Sequence, residues 1–279
     1  MKNSTRLKDQ WKKLRQANEA LLAVNFYNFE TLQGVVKAAG TVNSPLILQL
    51  TRSSIEYMGL PVATALAESV LQHFDVKGWL HLDHGDSYEL AARCLDAGFD
   101  SVMIDASEKP FSENISITKS VVKLAEQYDA SVEAELGYVA KLGQSTERTG
   151  FTEPDEAKLF VEETGVDALA IAIGSAHGFY KETPQLDLQR LAEINSVTDT
   201  ALVLHGASGI PHDILQEAIQ CGICKINLAT EVKNIFMKTL KVQLIENEDI
   251  DLRKVFPTAT DAVTALVQNK LEVIQTKKK

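Results

Sequence analysis

The chain has 279 residues, 45% of them apolar and 24% charged, with a net charge of -10. That composition buries a core and excludes a disordered chain, and the acidic balance offers no basic field for nucleic acid or an anionic membrane, although a local cationic pocket for phosphate is compatible with it. Three cysteines, Cys94, Cys221 and Cys224, make a disulfide framework improbable and suit a reducing compartment.

Residues 1–18 are polar and charged, without an apolar signal region, and read as an N-terminal helix or extension. No run of about 18 apolar residues follows anywhere, so a cytoplasmic protein with no membrane span and no nucleic-acid partner is expected. Short apolar runs then recur at 21–25 (LLAVN), 45–50 (PLILQL), 79–83 (WLHLD), 101–105 (SVMID), 131–135 (SVEAE), 168–173 (ALAIAI), 201–205 (ALVLH) and 224–228 (CKINL). Amphipathic stretches lie between them at 29–39, 63–74, 87–97, 115–128, 154–164, 186–194 and 211–220, each long enough for a crossover helix. Gly40, Gly98, Gly165 and Gly222 follow helical patterns as left-handed caps. A last helix at 258–275 ends in a basic tail, 276–279.

No linker or composition shift divides the chain, so residues 1–279 read as a single domain. Strands alternating with helices fit either a doubly wound open sheet or a (β/α)8 barrel, and the count of eight favours the barrel. So does the placement of polar residues. Asn25, Asp83, His84, Asp105, Glu135, His177, His205 and Asn227 stand at the C-terminal ends of strands or just beyond them. In a barrel those ends converge on one mouth, where active sites are built.

Three histidines occupy such ends, in LDHG (82–85), GSAHG (174–178) and LHGASG (204–209). His84, His177 and His205 together can form a three-imidazole site with an open position, as catalytic zinc requires. Each is followed by a glycine, Gly85, Gly178 or Gly206, which permits positive φ and close backbone approach. His73 and His212 read as surface or packing residues, and His81, two residues before Asp83 on a strand, lacks the setting.

Asp83, beside His84 on an alternating strand, is placed to pass a proton to a substrate or to orient a histidine. Asp105 and Glu135 end the next two strands and fit a second cation site, support of the histidines, or capping of the following helices. The segments 206–209 and 227–230 follow the seventh and eighth strands, the usual phosphate position of a barrel. Cys221 and Cys224 have C-x-x-C spacing but no second pair, and read as buried small apolar residues.

The segments LHLDHG (80–85), GFDSVMIDAS (98–107), SVEAELG (131–137), TGVDALAIAIGSAHGFYK (164–181), LVLHGASGI (202–210) and GICKINLATE (222–231) resemble the signatures of the class II fructose-bisphosphate and tagatose-bisphosphate aldolases. AVNFYN (23–28) and SPLILQLT (44–51) resemble that family's opening strands, so the likeness runs over nearly the whole chain. The resemblance implies reversible cleavage of a phosphorylated ketose to dihydroxyacetone phosphate and an aldehyde. It assigns the catalytic Zn2+ to His84, His177 and His205, and makes Asp83 the proton donor to the aldehyde-derived oxygen. It places dihydroxyacetone phosphate against Gly178, Gly206, Ala207, Ser208, Asn227, Leu228, Ala229 and Thr230, with Asn227 near the enediolate and Thr51 assisting at the phosphate. A second divalent ion at Asp105 and Glu135 and a monovalent cation, Na+ or K+, beside the phosphate are further implications. A homo-oligomer, dimer or tetramer, is expected.

The chain departs from that pattern after Gly137. The family commonly has a glycine pair followed by an acidic residue that handles the carbon-bound proton, whereas this sequence runs YVAKLGQSTE (138–147), which leaves Glu147 as the substitute. Near the C-terminus DLRK (251–254) resembles a segment whose arginine, here Arg253, meets the distal phosphate. Two other readings stay open on the same scaffold: a metal-dependent sugar-phosphate isomerase or epimerase that forms the same enediolate without breaking a carbon–carbon bond, and a non-catalytic sugar-phosphate binder.

Overall fold

The structure, a computed structural model, describes residues 5–141, 150–246 and 248–275. Its strands are β1 (Leu21–Asn25), β2 (Leu46–Leu50), β3 (Gly78–Gly85), β4 (Ser101–Ile104), β5 (Ser131–Leu136), β6 (Ala140–Lys141), β7 (Ala168–Ile171), β8 (Ala176–His177), β9 (Ala201–Leu204) and β10 (Ile223–Leu228). Eight of them close a parallel barrel in the order β1-β2-β3-β4-β5-β7-β9-β10, and β10 returns to pair with β1. The barrel expected from the sequence is the observed fold. The other two, β6 and β8, pair with each other at the mouth, setting Lys141 opposite His177.

Around the barrel run α1 (Leu7–Ala17), α2 (Phe29–Thr41), α3 (Arg52–Met58), α4 (Leu60–His73), α5 (Tyr88–Asp96), α6 (Phe111–Glu126), α7 (Pro154–Thr164), α8 (Leu188–Val197), α9 (His212–Gln220), α10 (Thr230–Glu246) and α11 (Leu252–Gln275). Local chemistry starts several of them. Asn28 and Thr31 form a reciprocal capping box at α2, Ser87 caps α5, and Pro154 opens α7. Among the described residues no helix is long and apolar enough to cross a membrane.

Strand side chains alternate between two apolar environments. Leu22, Val24, Leu46, Leu48, Leu80, Leu82, Val102, Ile104 and Val132 face outward into the helix layer. Leu21, Ala23, Ile47, Trp79, Ala168, Ala170, Ala201 and Val203 pack instead with Leu7, Trp11 and Leu14 of α1. The N-terminal helix therefore plugs the bottom of the barrel. Above that plug the buried positions turn polar, through Gln49, His81, Ser101, Glu133 and Lys225 to Asn25, Asp83, Glu135, His205 and Asn227.

Three expectations change. Gly40 does not cap α2, which runs through it to Thr41; the turn is made by Asn43 at φ 49, a residue whose short polar side chain tolerates the left-handed region. Gly98, Gly165 and Gly222 do take positive φ. The last helix begins at Leu252 rather than after Pro257, because Asp251 accepts from the Arg253 amide and starts it, and Pro257 sits inside it. Finally, α3 and α10, absent from the sequence reading, follow β2 and β10 directly.

Candidate active site

The site is assembled from strand ends, and β3 contributes two neighbours to it. In a regular strand consecutive side chains point to opposite faces, so Asp83 and His84 would diverge. Pairing between β3 and β4 instead shifts register between Leu82 and Gly85, and His84 takes a left-handed φ of 49. This bulge swings the His84 ring over the barrel mouth while Asp83 stays inside. The alternating strand expected at this point is thus corrected, and so is the part of the following glycine: Gly85 is not among the positive-φ residues. Its use is steric, because a β-carbon there would run into the carbonyl oxygen of Met103.

His177 arrives on β8 and His205 just beyond β9. The ring centroids of His84 lie 5.0 Å from His177 and 4.7 Å from His205, and those of His177 and His205 are 5.7 Å apart. One ligand atom from each of the three lies within 4.8 Å of the others. A second group with the same property is His84, Asp105 and Glu135. The structure therefore brings all five residues expected to hold metal into one cluster.

The electrostatics suit a cation. Burial opposes charge on His84, but the carboxylates of Asp83, Asp105 and Glu135 outweigh it and push its pKa up to about 9. Burial, helped by the charges on His84 and Lys225, holds His205 well below the ordinary imidazole value and so neutral. Burial first, then the charge on Asp105, raises Glu135 to about 8. The site thus draws positive charge onto His84, and a divalent ion among neutral imidazoles is the better way to supply it. Asp105 Oδ2, 2.8 Å from His84 Nδ1, orients that ring with its Nε2 toward the cluster. The donor set fits a divalent metal ion.

Asp83 is buried and held from two sides. Asn25 Nδ2 donates to one carboxylate oxygen at 2.8 Å and Asn227 Nδ2 to the other at 3.3 Å, while Gln49 Nε2 donates to Asn25 Oδ1 at 3.0 Å. Burial alone would raise its pKa, yet the positive charges on His84 and Lys225 and the bond from Asn25 keep it below the ordinary carboxylate value. It is ionised at neutral pH.

The segments expected to bind phosphate also come together. Gly209 N donates to Glu231 Oε1 at 2.6 Å and Glu231 N donates to Ser208 Oγ at 3.3 Å, which ties the loop after β9 to the start of α10. Gly206 takes φ 69, and a β-carbon on it would strike the carbonyl of Ala176. Ala207, Ser208 and Asn227 are buried, and Leu228, Ala229 and Thr230 lead from β10 into α10. Thr51 caps α3, its hydroxyl 3.1 Å from those of Ser53 and Ser54. Arg253 bonds Asp251 at the start of α11 with its side chain 91% exposed, and is not gathered into the cluster. Glu147 lies outside the described residues.

Several residues at the site escape the sequence reading. Glu133 Oε1 is 2.9 Å from His205 Nε2, and Glu133 Oε2 accepts from Lys225 Nζ at 2.7 Å. His81, fully buried, sits 2.7 Å from Ser101 Oγ and 3.4 Å from Lys225 Nζ. Tyr180 OH accepts from Ala176 N at 2.6 Å and donates to Gly206 O at 2.8 Å, joining the two loops that carry His177 and His205. The signal for three of these was period two. His81, Glu133 and Lys225 stand two residues before Asp83, Glu135 and Asn227, on the same strand face.

Comparison with known proteins agrees with this geometry. The family model described as fructose-bisphosphate aldolase class II matches residues 5–279. The YdjI aldolase from Escherichia coli K12 is 32% identical with a TM-score of 0.87, over 98% of this chain and 98% of that one. A structure from Coccidioides immitis assigned as a fructose-1,6-biphosphate aldolase is 29% identical, with a TM-score of 0.88 over 97% of this chain and 96% of that one. The fructose-bisphosphate aldolase of Campylobacter jejuni, 20% identical, shares the fold with a TM-score of 0.80 over 96% of this chain and 93% of that one.

Proposed function

Because the chain belongs to the class II fructose-bisphosphate aldolase family, we propose that it catalyses zinc-dependent, reversible aldol cleavage of fructose 1,6-bisphosphate or tagatose 1,6-bisphosphate, yielding dihydroxyacetone phosphate and an aldehyde such as glyceraldehyde 3-phosphate. The meeting of His84, His177 and His205, with ligand atoms within 4.8 Å of one another beside a buried carboxylate, carries this reading. When bound there, a zinc ion supplies Lewis acidity that disperses the negative charge left on the ketone half as the carbon–carbon bond breaks.

The remaining work falls to the chain's own groups. Asp83, ionised and fixed between Asn25 and Asn227, takes the proton from the hydroxyl that becomes the aldehyde oxygen and returns it in condensation. Asn227, whose Oδ1 is buried with no hydrogen-bond partner among the described residues, faces the ketone half. Gly178, Gly206, Ala207, Ser208 and 227–230 hold the phosphate with backbone amides and the first turn of α10, and Thr51 stands by it. The group that handles the carbon-bound proton is assigned to Glu147, which lies outside the described residues. Asp105 and Glu135 would hold a second divalent ion, and a monovalent cation would accompany the phosphate.

A coupled assay for dihydroxyacetone phosphate release from a panel of ketose phosphates, with and without chelator, tests the proposal. Release that chelator abolishes is expected. Isomerised product without triose, or ligand binding without turnover, contradicts it.

A further inference from the structure

Beneath the three imidazoles lies a buried ion pair that contacts one of them. Glu133 is 2% exposed and the Lys225 side chain 0%. Lys225 Nζ donates to Glu133 Oε2 at 2.7 Å, and Glu133 Oε1 lies 2.9 Å from Nε2 of His205. On its other side His205 presents Nδ1 to His84 Nε2 at 3.1 Å and to Glu135 Oε2 at 3.6 Å. Nε2 of His205 thus has a hydrogen-bond acceptor in Glu133 Oε1, whereas Glu135 Oε2 stands beyond hydrogen-bond distance of Nδ1. Whichever nitrogen keeps the proton is lost as a ligand.

We propose that Glu133, locked by Lys225, is the positioning residue that keeps the proton of His205 on Nε2 and leaves the Nδ1 lone pair for the metal. The inference rests on the reading of His205 as a metal ligand. Lys225 and Glu133 compensate each other in the dry interior, so the carboxylate stays with its two acceptors divided. Oε2 accepts from the ammonium, and Oε1 faces His205. Among the described residues Glu135 has no ammonium partner: Ser107 Oγ is 3.3 Å from its Oε1, and Asn114 donates to its backbone carbonyl. His81 completes the support, with Ser101 at one ring nitrogen and Lys225 at the other.

The amide variant makes this testable in a way that packing alone does not. In Glu133→Gln the side-chain NH2 is repelled by the Lys225 ammonium, so the amide oxygen turns to Lys225 and the NH2 turns to His205 Nε2. That drives the imidazole proton onto Nδ1. Adding Lys225→Met removes the ammonium and lets the amide oxygen face His205 again.

Zinc affinity is measured by competition with a chromophoric chelator, and ligand geometry by the visible spectrum of the Co2+-substituted protein. Glu133→Gln is expected to weaken zinc about 10–100-fold and shift the cobalt bands, and Glu133→Gln/Lys225→Met to recover most of that loss. A purely structural role predicts a double variant worse than the single. Glu133→Gln with affinity within about twofold of wild type, or no recovery in the double variant, overturns the proposal. Imidazole 15N shifts of the wild-type zinc protein give an answer that needs no variant: a protonated Nε2 on His205 is expected, and a protonated Nδ1 overturns it. His205→Ala separates the layers. Full zinc in that variant defeats the ligand reading itself, whereas lost zinc alongside an unaffected Glu133→Gln defeats only the role of Glu133.

Discussion

Nε2 of His84 and Nδ1 of His205 face each other at 3.1 Å, brought together from opposite sides of the barrel by residues 121 apart in sequence. With the metal removed, only a proton can sit between them, and the surrounding carboxylates place it on His84, whose pKa is about 9 against an ordinary 6.5. An imidazole with the higher value in the folded state stabilises the fold fully below pH 6.5, and progressively less as the pH climbs through 9. Glu135, raised from 4.5 to about 8, acts in the same direction over a lower window. Chelator-treated protein is therefore expected to lose melting temperature between pH 6.5 and 9. Zinc-loaded protein, where the ion replaces that proton, is expected to hold its melting temperature there. Identical pH profiles for the two forms contradict this account.

Asp83 touches Asn25 and Asn227, and it is not in either group of candidate ligands. Asp83→Ala is expected to retain zinc while turnover falls by about 100- to 10,000-fold, the range of a lost general acid–base group. Zinc content by elemental analysis and kcat measured on the same preparation check both halves. Turnover at the wild-type rate removes Asp83 from the mechanism.

Gly206 meets two constraints, a φ of 69 and a carbonyl of Ala176 where a β-carbon would stand. Gly206→Ala is expected to cost about 1–3 kcal/mol. Because the residue follows His205 directly, zinc affinity falls with stability. A thermal melt indistinguishable from wild type contradicts the assignment of strain here.

Tyr180 OH bridges Ala176 N and Gly206 O, next to two of the three imidazoles. Tyr180→Phe leaves a buried amide and a carbonyl without that partner, at about 1–3 kcal/mol. The expected phenotype is a lower melting temperature with weakened zinc binding at unchanged ring packing. Denaturant unfolding in the presence and absence of zinc checks both, and wild-type values in each contradict the bridging role.

How much of this was visible in the chain follows from what a one-dimensional pattern carries. The barrel was legible because apolar runs such as 79–83 and 201–205 recur with amphipathic stretches between them, and closure needs only their number. The gathering of His84, His177 and His205 followed from their common place at strand ends. The geometry at His84 was not legible: regular alternation sends it away from Asp83, and only the bulge at Leu82–Gly85 brings both to the mouth. The roles of Lys225 and Glu133 are not legible, because a charged residue inside an apolar run such as CKINL gives no sign of its partner, which here lies 92 residues away. Pro257 hid the start of α11, since a proline in the second turn of a helix reads in sequence as a boundary.

The central claim is one divalent ion held by three histidines from separate strands. Crystals of the zinc-loaded protein, measured on both sides of the zinc absorption edge, test it most directly. An anomalous peak about 2.0–2.1 Å from one nitrogen each of His84, His177 and His205 is the predicted result. A fully occupied ion held by Asp105 and Glu135 instead, with His177 and His205 unligated, contradicts it.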